Sequence, residues 1–235
     1  DKDVLILCFQ SYVVKTPHHT ILIDSCIGND KPRPARPKWN MKTDDTYLRA
    51  LAATGFSPGD IDYVMCTHLH VDHVGWNTRL QNGRWVPTFP KARYVFGKTE
   101  YDYWAAHSDS DEHKAVFDDS VRPVVEAGRV DLVASDHKLS DEITLIPTPG
   151  HSPGHMSIHI VSDGESALLT GDVAHHPCQM AHLDWSSNFD SDPVQSIGTR
   201  RELFSRFADT PTLVIGGHFS AGRIKRDGAA FRLEV

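Results

Sequence analysis

The stretch Thr67-His68-Leu69-His70-Val71-Asp72-His73-Val74-Gly75 directly follows the apolar run Tyr63–Cys66. It carries three imidazoles and one carboxylate within six residues, and these side chains are strong metal ligands. Packing such groups together without a metal is costly, because buried polar groups need partners. Alternation along the chain directs the first two histidines toward one ion, and the aspartate and third histidine toward a second. The stretch therefore predicts a metal site at the end of a strand.

Three later segments place further ligand side chains after apolar, strand-like runs. Asp172 follows Ala167–Thr170, and His218 follows Leu213–Ile215. His151 lies on a turn rich in glycine and proline. Because a rigid sheet can aim side chains at its strand ends, we expect these separate ends to converge on one site.

The remaining pattern alternates short β-like runs with helical stretches, which is typical of an α/β chain folded as a four-layer αββα sandwich. Helices are expected over Asp111–Glu126 and over Asp190–Ala208, the latter capped by Asp190 or Ser191, with Leu213–Ile215 as the last strand. No linker is visible, so we expect a single domain over residues 1–235. The sequence starts without a methionine, so we expect that an N-terminal segment is missing and that any signal peptide went with it.

The composition limits the classes of partner and the cellular locations that the sequence favours. The 235 residues have a formal charge of −7, which disfavours a nucleic-acid partner, and no apolar run is long enough to span a membrane. A proline-rich basic cluster is interpreted as a solvated loop: Lys31, Arg33, Arg36 and Lys38. Cys8 and Cys66 lie in apolar runs and are interpreted as buried small hydrophobic residues. The cysteines give no argument for an oxidising compartment, so a cytoplasmic location is only slightly favoured over a periplasmic or secreted one.

Together these motifs resemble the metallo-β-lactamase superfamily from Ile21 to His218. The resemblance implies two divalent metal ions, most simply zinc, with manganese, cobalt or iron as alternatives. It implies that His68, His70 and His151 hold the first ion, that Asp72, His73 and His218 hold the second, and that Asp172 bridges both. Asp24 corresponds to a family aspartate that orients a ligand histidine, although a turn-forming role is the alternative.

The branch of the family is indicated by Gly171–His176, Phe189–Asp192 and Gly217–Phe219, which resemble methyl parathion hydrolase and the N-acyl-homoserine lactonases. The resemblance implies a hydrolase in which a hydroxide between two metals attacks a small neutral lactone, ester or phosphotriester. Besides Asp172, we expect Asp72 to have a catalytic role as a proton shuttle. His175 stands where the lactonases have a tyrosine, so we expect it to contact the substrate.

Other functions stay open. A mononuclear iron dioxygenase acting on persulfides uses part of the same ligand set. β-Lactamase-like amide hydrolysis is disfavoured, because true zinc β-lactamases usually have cysteine or serine where Asp172 stands. A binding protein on an inactive scaffold is disfavoured by the complete ligand set. The expected partner is a small-molecule substrate, and a homodimer is open. Four aromatic residues could line an apolar pocket or belong to the core: Trp76, Trp85, Phe89 and Trp104.

Overall fold

The computed structural model describes residues 4–107 and 111–235, and these form two compact units. The N-terminal unit comprises Gln10–Phe96 and Tyr101–Val133. The C-terminal unit comprises Gly97–Glu100 and Ala134–Val235, together with the first residues of the chain through Phe9. Each unit is built around its own β-sheet.

The sheet of the N-terminal unit has five strands in the order β1-β2-β3-β6-β7. The seven strands of this part of the chain are β1 Tyr12–Lys15, β2 Thr20–Ile23, β3 Tyr63–Met65, β4 Thr78–Gln81, β5 Arg84–Pro87, β6 Arg93–Gly97 and β7 Val130–Val133. Strand β2 is buried along its whole length and pairs in parallel with β3, which in turn pairs in parallel with β6. Such continuous apolar runs are typical of parallel strands that are covered on both faces.

The sheet of the C-terminal unit has four strands in the order β11-β10-β9-β8. The strands of this unit are β8 Ile143–Pro147, β9 Met156–Ser162, β10 Glu165–Leu169, β11 Leu213–Ile215, β12 Arg223–Asp227 and β13 Ala230–Glu234. Strands β10 and β11 are parallel, so their carboxyl ends lie at the same edge of the sheet. Asp172 and His218 follow these two ends, as the sequence predicted.

The described residues contain six α-helices, and the two helices predicted above differ from them in their bounds. They are α1 Thr46–Ala53, α2 Lys98–Ala106, α3 Asp111–Val116, α4 Arg122–Glu126, α5 Cys178–Ala181 and α6 Pro193–Phe207. The predicted helix Asp111–Glu126 is interrupted by a wider, π-type turn over Phe117–Val121. Helix α6 starts three residues later than predicted, because Asp192 caps it by accepting the Gln195 N–H at 2.9 Å.

No helix among the described residues combines the length and the apolar character that crossing a membrane requires.

Two hairpins were missing from the sequence interpretation. Strands β4 and β5 are joined by Asn82 and Gly83, whose φ values of 50° and 74° are those of the tight hairpin turn that this pair favours. Strands β12 and β13 form the second hairpin, so the prediction that Leu213–Ile215 is the last strand was wrong.

The basic loop was also misinterpreted, because Lys31 and Arg33 are each only 1% exposed. Arg33 forms a bidentate ion pair with the buried Asp119 at 2.7 and 2.8 Å, and Lys31 donates to Thr78 Oγ1 at 2.8 Å. The acidic partner comes from a distant part of the chain, so the local pattern of prolines and cations could not reveal it. Cys8 is exposed rather than buried, whereas Cys66 is buried as expected.

Candidate metal centre

The donor stretch after β3 brings its histidines together in the N-terminal unit. The rings of His68 and His70 lie 4.5 Å apart, and those of His68 and His73 lie 4.1 Å apart. His68 is 0% exposed and His73 is 3% exposed. Asp72 Oδ2 lies 3.9 Å from His73 Nε2. The predicted donors of this stretch are therefore neighbours in a largely buried cluster.

Asp24, at the end of β2, organises this stretch. Its Oδ1 accepts the Thr67 N–H at 2.8 Å, and its Oδ2 accepts the Thr67 hydroxyl at 2.9 Å and the His73 Nδ1–H at 2.9 Å. Because a carboxylate only accepts, His73 carries its proton on Nδ1, and its Nε2 is the nitrogen with a lone pair. The predicted contact between Asp24 and a histidine of this stretch is confirmed. The turn-forming role also holds, since Asp24 adopts a φ of 55°.

In the C-terminal unit, one oxygen of Asp172 is surrounded by imidazole nitrogens. Its Oδ2 lies 3.1 Å from His218 Nε2, 3.4 Å from His151 Nε2 and 3.4 Å from His175 Nε2. All four residues are buried. Two ligands of one tetrahedral ion, at bond lengths near 2.0–2.2 Å, are about 3.3–3.5 Å apart. The spacing therefore fits a metal-binding cluster.

Two of these histidines, His151 and His218, have their other ring nitrogen fixed by an acceptor. His151 Nδ1 donates to Asp190 Oδ1 at 2.9 Å, and His218 Nδ1 donates to the Cys8 carbonyl at 2.8 Å. Burial by itself raises the pKa of Asp190, but the hydrogen bonds of His151 and Ser196 and the charges of His151 and His175 together hold that pKa below its ordinary value. Such partners fix the tautomer that leaves Nε2 as the ligand atom.

Asp190 is the site residue that sequence reasoning missed. It was interpreted as a helix cap, because an aspartate a few residues before a helical pattern usually has that role. Asp192 is the cap, and the Asp190 side chain is fully buried, 3.9 Å from the guanidinium of the buried Arg200. The proximity of a second aspartate to the helix start was the available signal.

Other histidines near the donors have structural roles. His155 Nε2 accepts the backbone N–H of Asp172 at 2.9 Å, while its Nδ1 contacts Thr148 Oγ1 at 2.8 Å. His155 thus fixes the backbone that carries the central carboxylate. His176 Nδ1 accepts the Cys178 N–H at 3.1 Å, which is a local contact at the start of α5.

Two glycines allow the C-terminal donors to approach their neighbours. A Cβ on Gly150, whose φ is 130°, would lie 2.3 Å from the backbone nitrogen of Ser196 in α6. A Cβ on Gly217 would lie 2.6 Å from Asp172 Oδ1. Any larger residue at either position would displace the turn that carries a ligand histidine.

The four aromatic candidates have three different surroundings. Trp76 and Phe89 are buried at 6% and 0% exposure, as core residues are. Trp85 packs under the Lys31 ammonium, with Nζ 3.9 Å from the ring centre. The ring of Trp104, also buried, lies 5.3 Å from that of His70. Trp104 therefore contacts a donor directly.

Comparison with known proteins places these features in a family. Residues 10–218 match the family model described as the metallo-beta-lactamase superfamily. An N-acyl homoserine lactonase of Bacillus thuringiensis is 28% identical over 136 residues, which cover 57% of this chain and 47% of that protein. The chain thus spans about half the length of this curated relative.

Solved structures agree on the fold. A hydrolase of the beta-lactamase superfamily, AbOPH, superposes with a TM-score of 0.81 at 22% identity, covering 97% of this chain and 80% of that one. AidC, a dizinc quorum-quenching lactonase, superposes with a TM-score of 0.77 at 22% identity, covering 97% of this chain and 79% of that one. These matches confirm the predicted α/β fold class. The chain belongs to the metallo-β-lactamase superfamily.

Proposed function

We propose that the protein is a metal-dependent hydrolase that holds two divalent ions. The observation that carries the proposal is the set of imidazole Nε2 atoms 3.1–3.4 Å from a single buried oxygen of Asp172. Buried carboxylates and imidazoles are costly to pack together unless they share protons or a cation. The donors follow the assignment that the family resemblance implies: His68, His70 and His151 for the first ion, Asp72, His73 and His218 for the second, and Asp172 for both.

The chemistry of the donors fits the ions that the proposal requires. All seven are imidazoles or carboxylates, which suit zinc, manganese, cobalt and iron, and no thiolate is among them. Asp24 and Asp190 each accept the Nδ1–H of a donor histidine, and such acceptors are typical of metal-ligating imidazoles. Zinc is the simplest choice because it needs no redox partner.

Two divalent ions, when bound, supply a hydroxide nucleophile at neutral pH and a Lewis acid for the substrate oxygen. The residues of the chain then have three tasks. Asp172 would hold the two ions together, while Asp24 and Asp190 hold the imidazoles in orientation. Asp72, whose side chain is 13% exposed, would accept a proton during the reaction.

The substrate that we propose is a small neutral lactone or a related ester, with phosphotriesters as a second substrate class. The match to N-acyl homoserine lactonases supports a lactone, although it covers only part of each chain. An overall charge of −7 favours a neutral substrate over an anionic one.

A metal count combined with a hydrolysis panel tests the proposal. Elemental analysis of the purified protein should find two equivalents of zinc, manganese or cobalt. The panel should include an acyl-homoserine lactone, an aryl ester, a phosphotriester and a β-lactam, and we expect turnover of the lactone or ester. One equivalent of iron together with oxygen consumption on a persulfide would contradict the proposal and indicate a dioxygenase.

A further inference from the structure

His175 is a buried side chain outside the set of seven donors. It is 8% exposed, and neither ring nitrogen has a hydrogen-bond partner among the described residues. An imidazole buried in this way has given up its hydrogen bonds to water without replacing them, which is unfavourable. A group that can accept or share a nitrogen lone pair is therefore expected beside the ring.

The geometry around the ring identifies that group as a cation. Ligand atoms of His151, Asp172 and His175 all lie within 4.8 Å of one another. His175 Nε2 lies as far from Asp172 Oδ2, at 3.4 Å, as His151 Nε2 does. The His175 ring is nearly parallel to that of His218, with 7° between the planes and 5.5 Å between the centres. By its distance to Asp172 Oδ2, His175 Nε2 cannot be distinguished from His151 Nε2.

The backbone that carries His175 is held in place on both sides. Its N–H donates to Gln179 Oε1 at 2.7 Å, and the Gln179 amide donates to the Trp185 carbonyl at 2.9 Å. On the other side, Arg200 Nε donates to the Val173 carbonyl at 2.8 Å. These contacts fix the segment before any ion binds, as a preorganised ligand requires.

We propose that Nε2 of His175 is a further ligand of the first ion, the one assigned to His151 and Asp172. The inference rests on the proposed function, because it needs an ion at this carboxylate. It replaces substrate contact as the main role of His175. The two roles differ in a measurable way, since a residue that only touches substrate leaves the metal affinity unchanged.

The test compares His175→Ala with the control His182→Ala in the full chain. His182 is exposed and stacks on Trp185 with 4.1 Å between ring centres, so it matches His175 in type and lies nearby in sequence. Each protein is stripped of metal, checked for folding by circular dichroism and titrated with Co²⁺ while the visible absorption is recorded. We expect His175→Ala to bind one equivalent at least about tenfold more weakly, with an altered spectrum, and His182→Ala to match the wild type. Added imidazole should restore the lost absorption of His175→Ala.

Unchanged Co²⁺ affinity and spectrum in His175→Ala would overturn the inference, even if lactone turnover fell, and would return His175 to a substrate contact. The proposed hydrolase would then still stand. If the wild type bound no Co²⁺ at all, the proposed function would fail together with the inference. Should the alanine variant not fold, His175→Gln keeps most of the side-chain volume and is judged by the same criteria.

Discussion

Lys31 is a buried cation whose replacement should change how stability depends on pH. Its Nζ donates to Thr78 Oγ1 at 2.8 Å and lies 3.4 Å from Asp119 Oδ1. Arg33 already occupies both oxygens of the same carboxylate. Two buried cations thus share one anion, and Asp30 adds only a weak attraction. The charged form of Lys31 is therefore poorly compensated.

The size of the effect follows from the pKa. Burial lowers the pKa of Lys31 from 10.5 to about 8, and the attraction of Asp119 only partly opposes this change. Between these two values the unfolded chain holds a proton that the folded chain has released, so the free energy of unfolding rises with pH. Below pH 8 the lysine is charged in both states, and the folded chain bears the full free-energy cost of burying that charge. From pH 7 to pH 9.5 the lysine should add about 2 kcal/mol of stability.

Urea unfolding of the wild type and of Lys31→Met at pH 7 and at pH 9.5 measures this contribution. The difference between the two proteins matters, because other groups titrate in both; burial, for example, raises the pKa of Cys26 to about 11. We expect the free energy of unfolding of the wild type to rise by about 2 kcal/mol relative to that of the variant between pH 7 and pH 9.5. Lys38→Met removes an exposed lysine from the same loop and should show no such gain. The reasoning would be refuted if the two proteins differed in free energy of unfolding by the same amount at both pH values. It would also be refuted if Lys31→Met became more stable relative to the wild type as the pH rose.

Three further predictions concern the metal centre. His68→Ala and His151→Ala should each abolish hydrolysis of every substrate while circular dichroism shows a folded chain; near-normal turnover after loss of metal would contradict their assignment to one ion. Asp172→Ala should lose both metal equivalents in elemental analysis, and a variant that keeps one would show that Asp172 does not bridge. Asp190→Asn should weaken metal binding roughly 10- to 100-fold in a chelator competition, because His151 loses a charged acceptor. Unchanged affinity would mean that His151 needs no carboxylate.

The fold and the donors could be predicted because their signals are local. His68 and Asp172 each follow an apolar strand within a few residues, so a pattern of hydrophobic runs locates both the strand and the ligand. The fold class is confirmed for the same reason. The contact between Asp24 and His73 is also confirmed, but it joins residues 49 positions apart and was predicted from the family resemblance. The single domain and the sharing of ligands between two ions stay predictions.

The errors arose where a residue's environment comes from far along the chain. Lys31 and Arg33 look like loop cations, but Asp119 buries them. The β4–β5 hairpin is a different case, since Asn82-Gly83 is a strong local turn signal that the sequence interpretation overlooked. Its two strands are short and half exposed, so the alternation of apolar and polar residues along them is weak. The signal of the donor stretch that precedes them is much stronger.

The orientation of the donors is the least local property of the site. The acceptor for His73 lies 49 residues away, that for His151 lies 39 residues away, and that for His218 lies 210 residues away. Short sequence motifs therefore indicate which residues are candidate ligands, whereas the orientation of those side chains depends on contacts that form only when the chain folds. An ion that binds the oriented set and not the unfolded chain would also stabilise the fold by its binding free energy. The carbonyl of Cys8 illustrates the point, since a residue outside the proposed donor set fixes the tautomer of His218 through its backbone.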